Sequence, residues 1–240
     1  MAVARPLKLT AMYHAHAAAG ATFVDRDGWK LPAKYTSVDE EVEMVRKAGG
    51  VCDISSVGKL GVQGTDALGK LAEVLSLSRP LEVGWAQRCS VPTSDASNGD
   101  GITVVGLAYD EALVLTPPSE VASLAKFLEE RLDGCAHLVD VTSSWAGVKI
   151  VGPLSHNVLT RLVELDLDPA VLDDGRCVQG KAAEVHALVL RSDLGGMLAY
   201  QLYVTRDFGE YIWDALLHAG RREGVGPVGF EALDRVRLAE

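Results

Sequence analysis

The residues best placed to do chemistry stand in Thr93 to Val105, T-S-D-A-S-N-G-D-G-I-T-V-V, where a polar, glycine-punctuated loop carrying Asp95 and Asp100 runs into an apolar strand. A carboxylate at such a junction is held by a scaffold and still reaches a ligand. The same Asp, Asn, Ser and Gly residues also suit a surface β-turn, because they supply local hydrogen bonds and positive φ. Spacing alone leaves both readings open. Cys52, Cys89, Cys135 and Cys177 are far apart, without a C-x-x-C or Cys-His cluster of metal-ligand spacing, so they read as buried thiols and no metal is expected. His14 and His16 are two apart and would share a face only on a strand. There is no G-x-x-x-x-G-K-[ST], no G-x-G-x-x-G between a strand and a helix, no G-x-S-x-G elbow and no H-E-x-x-H. Nucleotide, serine-hydrolase and zinc-protease chemistry therefore lose their usual support.

The elements that must position the loop follow from hydrophobic period and caps. Residues 12 to 20 read as a short alanine-rich helix ended by Gly20, followed by a strand, a turn at Asp27-Gly28, and an aromatic before Pro32. In S-V-D-E-E-V-E-M-V-R-K-A-G-G the serine Ser37, acids in the first turn, Val38, Val42 and Val45 on one face, and terminal Arg46 and Lys47 all predict a helix. From Val51 the period becomes that of a strand pair, and Thr65 is the expected cap of a helix from Asp66 to about Leu75. Gly84 to Cys89 and Ile102 to Leu107 are predicted strands on either side of the acidic loop, with Glu111 to Thr116 returning as a hairpin and Val121, Leu124, Phe127, Leu128 and Leu132 at helical spacing behind it. A second run of the same kind follows from His137: strands to Ser143 and over Trp145 to Val151, a helix from Leu154 to Val163, three more strands, and a last helix from about Phe208 to Gly220. Strands and helices thus recur in one rough order, which suggests two related α+β units and not a doubly wound parallel sheet.

The chain has 240 residues with 23 basic and 33 acidic side chains, a net charge of −10 that repels phosphate backbones and anionic lipid. Nucleic acid and membrane are not expected partners. No run approaches the roughly 20 apolar residues of a membrane span, the start M-A-V-A-R-P-L-K-L-T lacks an h-region, and a cytoplasmic protein is expected.

Taken in order, the chain's dispersed glycine, proline and charged elements resemble the aminomethyltransferase family typified by the glycine-cleavage T-protein. H-A-A-A-G-A, G-W-K-L-P-A-K-Y and E-V-E-M-V-R-K-A-G-G-V-C-D-I-S-S match H-x-x-x-G-A, G-W-x-x-P-x-x-Y and E-x-x-A-V-R-x-x-A-G-x-F-D-V-S-H. The match continues at Gly152-Pro153, at R-S-D-L-G-G-M-L-A-Y-Q-L for R-T-G-Y-T-G-E-x-G-Y-E-I, and at G-F-E-A-L-D-R-V-R-L-A-E for G-L-G-A-R-D-T-L-R-L-E. The resemblance implies an α+β fold of two ferredoxin-like, antiparallel-sheet units packed together, as in the folate-binding T-protein fold. We expect residues 1–50 plus 138–240 to form the first unit and 51–137 the second, with the family's C-terminal β-barrel domain absent.

The resemblance also implies tetrahydrofolate bound in a cavity between the units and a loop aspartate, in G-G-x-x-D-D, beside the one-carbon group. Counting from Gly84 that catalytic aspartate is Asp100, and the second one is Gly101 here. Such a carboxylate orients an amine, stabilises developing positive charge or moves a proton. The cofactor-facing positions implied are Val57, Arg88, Ile102, Leu194, Met197, Tyr200 and Leu233. At several of these the chain departs from the family: Arg88 replaces a tyrosine, Leu194 and Met197 a tyrosine and a glutamate, Leu233 an arginine, and Ser56-Val57 a His-Met pair. Arg88 suits a carboxylate through its guanidinium fork. The expected activity is tetrahydrofolate-dependent transfer of an aminomethyl or N-methyl-derived unit from a small-molecule amine. The alternative is a non-catalytic folate-fold subunit of a heteromeric sarcosine-oxidase-type amine oxidase. Either way a protein partner or a homo-oligomer is expected to cover the place of the missing barrel.

Overall fold

In a computed structural model of the chain, residues 7–90, 92, 101–132, 134 and 136–238 are described. The order is β1 (Lys8–Leu9), α1 (Tyr13–Ala18), β2 (Thr22–Arg26), β3 (Trp29–Lys34), α2 (Val38–Lys47), β4 (Gly50–Asp53), β5 (Gly58–Gln63), α3 (Ala67–Val74), β6 (Ala86–Cys89), β7 (Ile102–Ala108), β8 (Glu111–Thr116), α4 (Val121–Leu132) and β9 (His137–Asp140). It continues as β10 (Trp145–Val151), α5 (Ser155–Leu159), β11 (Cys177–Ala182), β12 (Val185–Arg191), β13 (Ala199–Thr205), α6 (Gly209–Gly220), β14 (Gly226–Pro227) and α7 (Phe230–Arg237). The chain divides into one unit of residues 1–56, 145–174 and 178–240 and another of residues 57–144 and 175–177.

The first unit is built on a six-stranded sheet in the order β11-β12-β13-β10-β4-β14, in which β12, β13, β10 and β4 are successively antiparallel and β14 runs parallel to β4. A three-stranded sheet, β1-β3-β2, belongs to the same unit. Strand β4 pairs with β10 from Asp53–Val148 to Gly50–Val151. This ladder carries residues 51–53 into the first unit, past the boundary expected after residue 50. The helix at Ser37 is closed by a reciprocal capping box: the Glu40 amide donates to Ser37 Oγ and the Ser37 amide donates to Glu40 Oε2. Its Val42 and Val45 pack with Leu233 and Val236 of α7 in one apolar cluster. Helix α7 was not expected from sequence, where the last helix ends at Gly220.

The second unit is a five-stranded antiparallel sheet in the order β6-β7-β8-β5-β9. Leu124, Leu128 and Leu132 recur every four residues along α4 and are fully buried with Leu71 of α3 and with Leu60, Val104 and Val114 of the sheet. Each such leucine contributes about 1.5–3 kcal/mol by leaving water. Strand β9 pairs with β5 and so extends this unit beyond residue 137. The α3 cap differs from expectation. Asp66, not Thr65, occupies the N-cap position, in the left-handed region at φ 60°, and makes no side-chain cap bond. No helix among the described residues is long and apolar enough to cross a membrane.

Candidate functional site

In the second unit, β6 and β7 hold the stems of the acidic loop, pairing Cys89 with Ile102 and Arg88 with Thr103. Asp95 and Asp100 lie outside the described residues. The residue after Asp100 is informative. A Cβ on Gly101 would sit 2.6 Å from the Cys89 carbonyl oxygen. Backbone approach thus accounts for glycine where the family pattern has a second aspartate. Arg88 is exposed on β6, while Ile102 is fully buried in the leucine-rich core, so its side chain is spent on packing. Gln87 secures the preceding turn, its Nε2 donating to the Arg79 and Pro80 carbonyls at 2.9 and 3.0 Å. The guanidiniums of Arg79 and Arg176 lie over the Trp85 ring, 5.0 and 4.6 Å from its centroid. Val57 is half-buried, and its carbonyl accepts from Lys59 Nζ at 2.8 Å.

In the first unit, three of the expected positions come together. Leu194 and Met197 exchange backbone hydrogen bonds of 2.9 Å across Gly195-Gly196, whose φ values are 56° and 66°. This is the left-handed pair that a tight two-residue turn needs. Both side chains pack against the cluster that contains Leu233. Arg191 fixes the base of the hairpin. Its Nε and Nη2 donate to the two oxygens of Asp193 at 3.2 and 2.8 Å, and Nη1 donates to the Pro169 and Leu172 carbonyls at 3.0 and 2.8 Å. Tyr200 lies apart from the three, fully buried, its hydroxyl donating to the Leu167 carbonyl at 2.9 Å and its pKa pushed up to about 12 by burial. Its side chain is committed to the core of the large sheet.

A polar cluster that sequence reasoning left unassigned lies in the same unit. His16 is fully buried on α1, whereas His14 is exposed on that helix, so the pair shares no face. The Nε2 of His16 meets Asp53 Oδ2 at 2.9 Å and its Nδ1 meets the Tyr35 hydroxyl at 2.9 Å. Asp53 Oδ1 accepts the Ser55 amide at 2.8 Å. Burial pushes the Asp53 pKa up, and the His16 hydrogen bond and charge together with the Ser55 bonds outweigh it, holding the carboxyl below its usual range. Burial, with the Cys52, Asp53 and Glu41 charges behind it, pushes the Tyr35 phenol far up, so it stays protonated. Glu41, also buried, accepts the Tyr35 and Thr36 amides at 2.5 and 2.9 Å on Oε1 and the Gly229 amide at 2.8 Å on Oε2. The signal for this cluster was present in the motifs: H-x-x-x-G-A, P-x-x-Y and D-I-S-S each supply one of its members.

Among the described residues the thiols are poor nucleophiles. Burial pushes Cys89 and Cys177 up to about 11 and Cys52 well above its ordinary value. Cys135 lies outside the described residues. Among the described residues no group of three or more His, Cys, Asp or Glu side chains is placed to hold a metal ion.

The fold is that of the T-protein. The glycine cleavage system aminomethyltransferase T from Bartonella henselae matches 97% of this chain and 62% of its own, with TM-score 0.82 and 22% identity. The chain belongs to the GCVT N-terminal domain family, whose pattern matches residues 12–240. Aminomethyltransferases of Geobacillus kaustophilus and Anoxybacillus flavithermus are each 30% identical over 236 residues, 97% of this chain. The chain spans 64% of the length of each of these relatives. A chain of the heterotetrameric sarcosine oxidase from Corynebacterium sp. U-96, solved in complex with pyrrole 2-carboxylate, is similar at TM-score 0.64 and 17% identity, over 90% of this chain and 95% of that one.

Proposed function

We propose that the chain works in one-carbon transfer, passing an aminomethyl or N-methyl-derived unit from a small-molecule amine to tetrahydrofolate or a related carrier. The observation that carries this reading is the family match over residues 12–240, joined to aminomethyltransferase relatives over 97% of the chain. Asp100 is the proposed catalytic residue, orienting the amine, offsetting positive charge or moving its proton. Arg88 is the proposed partner of a carboxylate on the carrier. Leu194 and Met197 pack, half-buried, against the apolar cluster that holds Leu233. These aliphatic side chains supply no hydrogen bonds to the polar edge of a pterin. Each polar side chain of the family pattern that an aliphatic one replaces here weakens folate binding by about 1–3 kcal/mol. A cytoplasmic setting and a protein partner or second copy of the chain complete the proposal.

A second reading rests on the sarcosine oxidase chain, 95% of which is covered by this fold. Under it, the fold serves as a non-catalytic subunit of a heteromeric amine-oxidase assembly, and the aliphatic substitutions reflect release from folate binding. Calorimetric titration of the purified chain with tetrahydrofolate, alone and with a co-expressed partner, separates the two. Saturable binding supports transfer, and no saturable heat at millimolar ligand in either format sinks it.

A further inference from the structure

We propose that Tyr35, His16 and Asp53 form a positioning relay that fixes the turn Ser55-Ser56-Val57, and with it the carrier-facing position Val57. The inference rests on the transfer reading only in its last step. The relay itself is geometric. His16 has a partner on each ring nitrogen, Tyr35 on Nδ1 and Asp53 on Nε2, both at 2.9 Å. The Trp213 ring meets the imidazole edge-on at 4.6 Å between centroids and stacks with Tyr35 at 6.4 Å. The imidazole is thereby held in place.

The Asp53 end sets the direction of its hydrogen bond. Asp53, held as a carboxylate, accepts from Nε2–H of His16, and the Tyr35 hydroxyl meets Nδ1 at the other end. With Oδ2 engaged by His16, Oδ1 is left aimed at the Ser55 amide, 2.8 Å away. Ser55 continues the chain of contacts: its Oγ accepts the Gly147 amide at 3.1 Å, and the Ile54 amide donates to the Gly147 carbonyl at 2.9 Å. Residues 54 and 55 are thus pinned to β10 from one side and to the relay from the other. A Cβ on Gly147 would lie 2.9 Å from the Tyr203 ring and 3.2 Å from Ile54, so the pinning depends on a bare backbone there. Val57 follows two residues later.

The test is site-resolved amide hydrogen exchange on the full chain, with Tyr35→Phe and Asp53→Ala. Tyr35→Phe deletes one oxygen and keeps the ring, and it carries the test if Asp53→Ala does not fold. The expected result is exchange at Ser55 faster by about tenfold, the loss of roughly one hydrogen bond, with the β13 amides of residues 200–204 as in the wild type. Unchanged Ser55 exchange overturns the relay. So does an equal acceleration through β10 and β13, which would mark a general loss of stability. Tetrahydrofolate titration of the same variants tests the last step: affinity weaker by about tenfold in Tyr35→Phe supports it, and unchanged affinity beside a loosened Ser55 overturns it. A wild-type chain that binds no tetrahydrofolate fails the transfer reading and the Val57 step together, and the exchange result still decides the relay.

Discussion

The Nε2 of His16 lies 2.9 Å from Oδ2 of Asp53, with both side chains closed to solvent. The Asp53 pKa is held down in the folded protein, so its stabilising contribution is complete above the unfolded carboxylate value of about 4 and is lost as pH falls through the lower folded value. Asp53→Asn should cost about 3 kcal/mol at pH 7 by breaking a buried pair. Its deficit should then shrink below about pH 4. Thermal midpoints of both proteins between pH 3 and 7 check this, and parallel curves would contradict it.

Glu41 ties the start of α2 to the residue before α7 by accepting three backbone amides. Glu41→Gln keeps the shape and turns one acceptor oxygen into a donor facing an amide. A loss of about 2 kcal/mol is expected, or a fall in melting temperature of roughly 4–8 °C for a chain of this size. Scanning calorimetry of the variant measures it.

Gly195 and Gly196 should answer differently to alanine. Both sit in the left-handed region, yet a Cβ on Gly195 would meet the Val236 carbonyl oxygen at 2.5 Å while one on Gly196 would meet nothing within 4 Å. Gly196→Ala should cost about 1–2 kcal/mol of backbone strain. Gly195→Ala should cost clearly more, because a backbone carbonyl cannot step aside. Urea unfolding of the pair gives the comparison, and equal losses would refute the clash.

Met197→Glu returns the family's acid to the hairpin, at a half-buried position where a long side chain can keep its charged tip in water. If this position faces the carrier, tetrahydrofolate affinity should rise by about 5–100-fold, the equivalent of one polar contact. Calorimetric titration reads it out, and an unchanged affinity would remove Met197 from the cofactor-facing set.

Asp100→Asn should cut turnover by about 100-fold or more if the carboxylate handles a proton or a developing charge. An undiminished rate with the amine substrate would end its catalytic assignment.

What could be read in the sequence was local. The capping box at Ser37 and Glu40, the leucines of α4 and the strands flanking the acidic loop all declare themselves within a few residues, where period and cap chemistry operate. Helix α7 escaped because it is only eight residues long, carries charge at four of them, and makes no side-chain cap bond; what holds it is the apolar face of α2, nearly two hundred positions away in the chain. The Asp66 cap escaped because nothing in T-D-A-L announces a left-handed aspartate. For the candidate site, family order alone singled out Asp100, and it placed Ile102 and Tyr200 toward a cofactor where their side chains are taken up by cores. The meeting of residues 16, 35 and 53 has no spacing signature at all, since it is made by tertiary packing and not by any helix or strand period.

The ladder between β4 and β10 joins neighbours in one sheet although the whole of residues 57–144 is strung between them. Closing so long a loop from an unfolded chain is entropically costly and slow. The inserted segment brings its own ends together, since β5 and β9 pair antiparallel and the Lys59 amide donates to Thr142 Oγ1 at 2.9 Å. Once that segment has folded, the remaining search is no longer than that of an ordinary hairpin, so the order of assembly is written into the connectivity: the insert first, the host sheet after it.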